Sequence, residues 1–149
     1  MKNWCGPMPH FTAMRTLAVD YGERRVGIAL SDPTGLIASA LTVIQRETDE
    51  QVVDVITGLV AQHGVERIIV GNPITMKGEA GEKSQRAAAF AMQLGARLNV
   101  PVELFDERLT TVSAERALLE GDVRRKRRRN VIDAVAATIL LQHYLDAHR

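Results

Sequence analysis

Three acids define the chemistry this sequence can support. Asp20 closes the short apolar run Thr16–Asp20, and Glu107 follows the apolar stretch Val102–Phe105 by two positions. Asp133 stands near the start of a helical pattern whose apolar positions are Val131, Ile132, Val135, Ala136, Ile139 and Leu140. In an α/β sheet, ligands collect beyond the carboxyl ends of the parallel strands, so acids at strand ends carry more weight than acids on helix surfaces. Asp20 and Glu107 meet that condition and converge if their strands are neighbours. Asp133, inside an apolar stripe, needs a partner, because an ionised carboxylate is costly to bury unless it is paired or holds a metal. The plainer reading of Asp133 is an acid in a first helical turn, favoured there by the macrodipole.

Cys5 is the single cysteine, and His10, His63, His143 and His148 lie in unrelated segments. Carboxylates without thiols or grouped imidazoles favour a hard, oxygen-ligated cation, Mg²⁺ or Mn²⁺, over zinc. Such ions, held by acids and phosphate oxygens, serve phosphodiester hydrolysis. A lone cysteine excludes an intrachain disulfide and fits a reducing compartment, here the cytoplasm.

The elements that must position these acids read as follows. Two β-type runs flank Tyr21-Gly22-Glu23 as a hairpin, and Leu36–Ile44 follows a turn at Asp32-Pro33-Thr34-Gly35 as a third strand. Helical spacing covers Asp49–His63, with Gly64 as the stop, and Glu82–Leu98; Arg67–Val70 and Val102–Phe105 are short strands. A helix over Ser113–Glu120 is closed by Gly121, and Asn130 can cap a last helix, Val131–Ala147. Three antiparallel strands followed by alternating helices and strands imply an α/β fold with a mixed five-stranded sheet covered by helices. The 149 residues fit one domain, 16–149, after a leader over 1–15 broken by Gly6, Pro7 and Pro9. No apolar run reaches the roughly 18 residues of a membrane span.

The net charge of +1 conceals a basic run, Arg124, Arg125, Lys126, Arg127, Arg128 and Arg129. Without these six of the nineteen positive charges, the eighteen acids would leave the remainder at −5. One concentrated basic segment on a near-neutral chain points to phosphates or an acidic partner; the plainer reading is a solvated, flexible loop. Six aromatic residues leave few platforms for base stacking.

Other residues near the acids have paired readings. Gly22 serves the turn, and its missing side chain also lets a phosphate or metal approach beside Asp20. Arg24 and Arg25 alternate on a strand, so one faces substrate and the other solvent. Arg108 orients Glu107 or binds phosphate. Thr110 and Thr111 are helix-capping hydroxyls first and substrate ligands second.

Together, Val19-Asp-Tyr-Gly-Glu-Arg-Arg-Val-Gly-Ile-Ala-Leu-Ser-Asp32, Val70-Gly-Asn-Pro73 with Gly78, Phe105-Asp-Glu-Arg-Leu-Thr-Thr111 and Arg128-Arg-Asn-Val-Ile-Asp-Ala-Val-Ala-Ala-Thr-Ile-Leu140 resemble the YqgF-type family of Holliday junction resolvases, in its order and spacing over residues 16–146. The resemblance implies an RNase H-like fold and a nuclease acting on Holliday junctions or on the 5′ end of pre-16S ribosomal RNA. It implies Asp20, Glu107 and Asp133 as metal-binding acids. Asn72 stands where the family has Leu, and Lys77 where it has Asn or Asp before the glycine. The partner expected is branched DNA or structured RNA, bound through a backbone that the basic run positions without reading sequence. Junction symmetry would suit a homodimer, although nothing in the sequence marks an interface.

Two other functions fit parts of the pattern. Asp20-Tyr-Gly22 with Arg25–Ala29 is also similar to the phosphate loop of actin-like ATPases and sugar kinases, whose second large domain 149 residues cannot supply. A non-catalytic RNA-binding module for ribosome assembly would keep the fold and basic run without using the acids.

Overall fold

The computed structural model describes residues 15–72, 81–106 and 125–148, with the backbone alone described at 106 and 125–133. Strands β1 (Thr16–Tyr21), β2 (Arg25–Ser31) and β3 (Ala38–Gln45) form the antiparallel run. Helix α1 (Asp49–His63) leads to β4 (Arg67–Asn72), and α2 (Glu82–Arg97) leads to β5 (Val102–Asp106). Helix α3 (Arg125–Ala147) ends the described chain. The sheet order is β3-β2-β1-β4-β5, with β1, β4 and β5 mutually parallel.

Local chemistry fixes the ends of these elements. Thr48 caps α1 by accepting a hydrogen bond from the Gln51 amide at 3.0 Å, and Gly64 stops it in the left-handed region at φ 64°. Between β2 and β3, the Asp32 carboxylate accepts from the Leu36 and Ile37 amides at 2.9 and 3.0 Å and from the Thr34 hydroxyl. These bonds, the Ile37 amide first and then the Thr34 hydroxyl, pull its carboxyl down to about 2. The third strand accordingly begins at Ala38 rather than Leu36, since residues 36 and 37 belong to this turn.

The central strands are buried on both faces, in keeping with the nearly continuous apolar residues of β1 and β2. Leu17, Val19, Ile28, Ile68 and Val70 pack with Val52, Ile56, Phe90 and Leu94 of α1 and α2. Ala18, Ala29 and Ile69 pack with Ala136, Ala137, Leu140, Leu141 and Tyr144 of α3. Small alanines on this second face let α3 approach β1 and β2 closely. Phe90 is fully buried and stacks on Tyr21 with ring centroids 4.6 Å apart. Phe90→Ala is expected to cost about 3–5 kcal/mol of stability in a urea denaturation series; a cost below about 1 kcal/mol would contradict this packing.

The last helix departs from the sequence reading. It starts at Arg125, six residues before Val131, so Asn130 is an interior residue rather than a cap. Arg and Lys are good helix formers, and the basic run propagates the helix backward instead of forming a flexible loop. Asp133 therefore lies more than two turns inside α3, and the first-turn dipole argument does not apply to it. The helix expected over Ser113–Glu120 and the leader up to residue 14 lie outside the described residues. Arg15 belongs to the fold through hydrogen bonds to Ser31 O, His63 O and Glu66 Oε1. No helix among the described residues is long and apolar enough to cross a membrane.

Candidate functional site

The carboxyl ends of β1, β4 and β5 share one edge of the sheet, where Asp20, Asn72 and Asp106 stand at or next to the strand ends. Asp20 is buried, with 8% of its surface exposed. Side chains alternate along a strand. Ala18 packs toward α3, so Asp20, two residues on, belongs to the α3 face. Its register partner on β2 is Gly27, two residues from Ala29, which also packs toward α3. On β4, Ile69 packs the same way and Gly71 follows it by two. Asp20 is thus flanked on its own face by a glycine on each neighbouring strand.

Strand β5 is not the neighbour of β1, because β4 lies between them. At about 4.8 Å per strand, the ends of β1 and β5 are about 10 Å apart. Direct convergence of Asp20 with the β5 end through adjacent strands is therefore corrected to an approach across Gly71. Phe105 packs toward α3, and Glu107 is two residues beyond it in sequence.

Helix α3 crosses the same face. Its C-terminal part is tied to the opposite edge, where Arg67 Nη1 donates to the Tyr144 hydroxyl at 2.5 Å and Gln142 bonds Ala38 N and Leu36 O. From Tyr144 back to position 133 is about 16 Å at 1.5 Å per residue. From the Thr16–Arg67 pair to Asp20 is about 13 Å along β1. Position 133 is also one turn before Ala136 and Ala137, which pack on the sheet.

Of the remaining expected residues, Arg24 is exposed in the β1–β2 turn and Arg25 is half-buried as the first residue of β2. They are a turn residue and a strand residue, not an alternating strand pair. Arg125, Lys126, Arg127, Arg128 and Arg129 occupy the first turns of α3 as backbone positions. Glu107, Arg108, Thr110, Thr111 and Arg124 lie outside the described residues.

Sequence reasoning missed Arg46, Asp49 and the use of Tyr21. The Tyr21 hydroxyl donates to Asp49 Oδ1 at 2.5 Å, and Arg46 Nη1 donates to the same oxygen at 3.0 Å. Burial, then the bond to Asp49, pushes the Tyr21 phenol up to about 12. Only the β2–β3 register, with Arg25 opposite Gln45, brings Arg46 to this turn, so no spacing along the chain announces it.

The donor set suits a hard cation. Asp20 offers carboxylate oxygens, the donor type such an ion takes, in a glycine-flanked position at the strand ends. Among the described residues, no group of three His, Cys, Asp or Glu gathers, so further ligands would come from acids whose side chains are not described.

Comparison with known proteins gives consistent matches. The family model described as RuvX, Holliday junction resolvase, matches residues 14–147. A relative from Halothermothrix orenii is 48% identical over 133 residues, 89% of this chain and 95% of that one. Another, from Pelotomaculum thermopropionicum, is 48% identical over 135 residues, 90% and 88% of the two chains. Both are provisionally named pre-16S rRNA nucleases. Among solved structures, Thermus thermophilus RuvC in complex with a Holliday junction substrate matches 91% of this chain and 95% of its own, at TM-score 0.57 and 16% identity. The fowlpox virus Holliday junction resolvase matches 90% and 99%, at TM-score 0.53 and 14% identity. The mixed sheet and its helices are an RNase H-like fold.

Proposed function

We propose, because the chain belongs to the RuvX family of Holliday junction resolvases, that it is a nuclease hydrolysing phosphodiester bonds at a divalent-metal site built on Asp20, Glu107 and Asp133. The observation that carries this reading is the buried carboxylate of Asp20 at the carboxyl edge of the parallel strands, with a glycine on either side. Such an edge is where α/β sheets gather ligands. Glu107 follows β5 directly in sequence and position 133 comes one helical turn before Ala136 and Ala137, which supports all three acids serving one site.

Bound there, Mg²⁺ or Mn²⁺ would supply Lewis-acid charge for activating water and for the leaving oxygen. Asp20, Glu107 and Asp133 would hold it through oxygen donors. Arg24, Arg25 and Arg108 would bind substrate phosphates near the scissile bond, with Thr110 and Thr111 as further ligands. The run Arg124, Arg125, Lys126, Arg127, Arg128 and Arg129 would hold a longer stretch of backbone.

The names of the relatives favour cleavage of pre-16S rRNA as the biological reaction, and the reading adopted is processing of its 5′ end. The family description supports a second reading, resolution of four-way DNA junctions. That second reading calls for two copies of the chain, since two symmetric strands must be cut.

Labelled four-way DNA junctions and a precursor 16S rRNA fragment, incubated with Mg²⁺, Mn²⁺ or EDTA, test the proposal. Cutting in either metal and none in EDTA is expected, and the preferred polymer names the substrate. Binding without cutting on both polymers would overturn the nuclease reading in favour of a non-catalytic RNA-binding assembly module.

A further inference from the structure

The β1–β2 turn begins two residues after Asp20 and carries Arg24 and Arg25 at its far end. A Cβ on Gly22 would lie 2.5 Å from the Arg25 carbonyl oxygen, so the turn is closed tightly on itself. One residue takes up all three of its carbonyls. The Arg46 amide donates to Arg24 O at 2.7 Å, and Arg46 Nε donates to Glu23 O at 2.8 Å and to Gly22 O at 3.2 Å. The same guanidinium bonds Asp49 Oδ1 and lies 5.4 Å from the centre of the Tyr21 ring. Asp49 in turn accepts from the Tyr21 hydroxyl, and the Tyr21 ring is stacked on Phe90.

Tyr21 faces α1 and α2 while Asp20 faces α3. The network therefore grips β1 from the side opposite the carboxylate, at the residue next to it. Arg46 is only 21% exposed, so its bonds are not simply replaced by water. We infer that Arg46, braced by Asp49 and Tyr21, is a positioning residue that fixes the β1–β2 turn and thereby the aim of the Asp20 carboxylate and of Arg24 and Arg25. The inference rests on the proposed role of Asp20.

Arginine suits this task where lysine does not. Its planar fork presents several donors in fixed directions, whereas an ammonium is a point charge on a flexible stem. Residues that orient a metal ligand from behind typically cost 10–100-fold in metal affinity or activity when lost.

The test compares Arg46→Ala and Arg46→Lys with the unaltered full-length chain, by Mn²⁺ binding in electron paramagnetic resonance and by kcat for cleavage. Both variants are expected to raise the Mn²⁺ Kd and lower kcat by about tenfold or more. The sign separates geometry from charge. Removing a cation near a cation site would by itself tighten Mn²⁺ binding, so weaker binding in Arg46→Ala, repeated in the charge-preserving Arg46→Lys, reports lost positioning. Wild-type Kd and kcat in both variants, even with a lowered melting temperature, would reduce Arg46 to a structural residue and leave the nuclease reading intact. An unaltered chain that neither binds Mn²⁺ nor cleaves would overturn the nuclease reading, and this inference with it.

Discussion

Asp20→Asn is expected to abolish metal-dependent cleavage while the fold and nucleic-acid binding survive. The substitution keeps the shape of the side chain and removes the charge that a hard cation requires. A catalytic metal contributes several kcal/mol to the transition state, and at about 1.4 kcal/mol per tenfold its loss corresponds to a fall in rate on the order of 10² to 10⁴. The amide keeps the shape and the hydrogen-bonding capacity of a side chain that is only 8% exposed, so a melting temperature within about 4 °C of the parent is expected. Binding in EDTA should be unchanged, because the basic residues are untouched. The measurement is initial cleavage rate in Mg²⁺ with a thermal melt and a binding titration on the same preparation. Parental activity would reject the assigned site. Lost activity with a collapsed melting transition would instead make Asp20 a structural residue.

The elements themselves were legible in the sequence because their signals are local, although strand ends fell one or two residues off. Gly64 after His63 ends α1 as expected, and the apolar run from Thr16 marks β1, which ends at Tyr21, one residue past Asp20. The spacing of Val52 and Ile56 likewise shows which side of α1 is buried. What could not be read was lateral order. Nothing in Val102–Phe105 states that β4 lies between it and β1, because strand order is decided by crossover connections and by which faces the helices cover. The Arg46 network was hidden for the same reason, since its members meet through the β2–β3 register. The start of α3 was misread because a run of cations suggests solvent and mobility, while their intrinsic helix propensity is high. Asp133 shows the two effects together. Its place in an apolar pattern was visible, but the plainer reading of it, an acid favoured by a first-turn dipole, falls away because the helix begins eight residues before Asp133.

That longer helix sharpens what the basic run is expected to do. Positive charges in the first turns of a helix oppose the macrodipole by about 0.3–1 kcal/mol each at low salt. Like charges spaced one turn apart on a helix are unfavourable as well, and positions 125 and 129 have that spacing. No acid occupies the first turn of α3 to offset them. In the free protein the run therefore weakens the helix that carries Asp133, and bound phosphates would relieve that strain. Gln matches Arg closely in helix propensity, so Arg127→Gln, Arg128→Gln and Arg129→Gln together isolate the charge. The triple variant should melt higher than the parent at low salt. Its affinity for a four-way junction should drop on the order of a hundredfold at about 0.1 M salt. The slope of log K against log salt should flatten by about 2–3, at about 0.9 per lost contact on duplex DNA. Opposite signs for stability and binding are the diagnostic result. A helix that only solvates its charges would show the higher melting temperature with no change in affinity, whereas a run needed for folding would show both falling together.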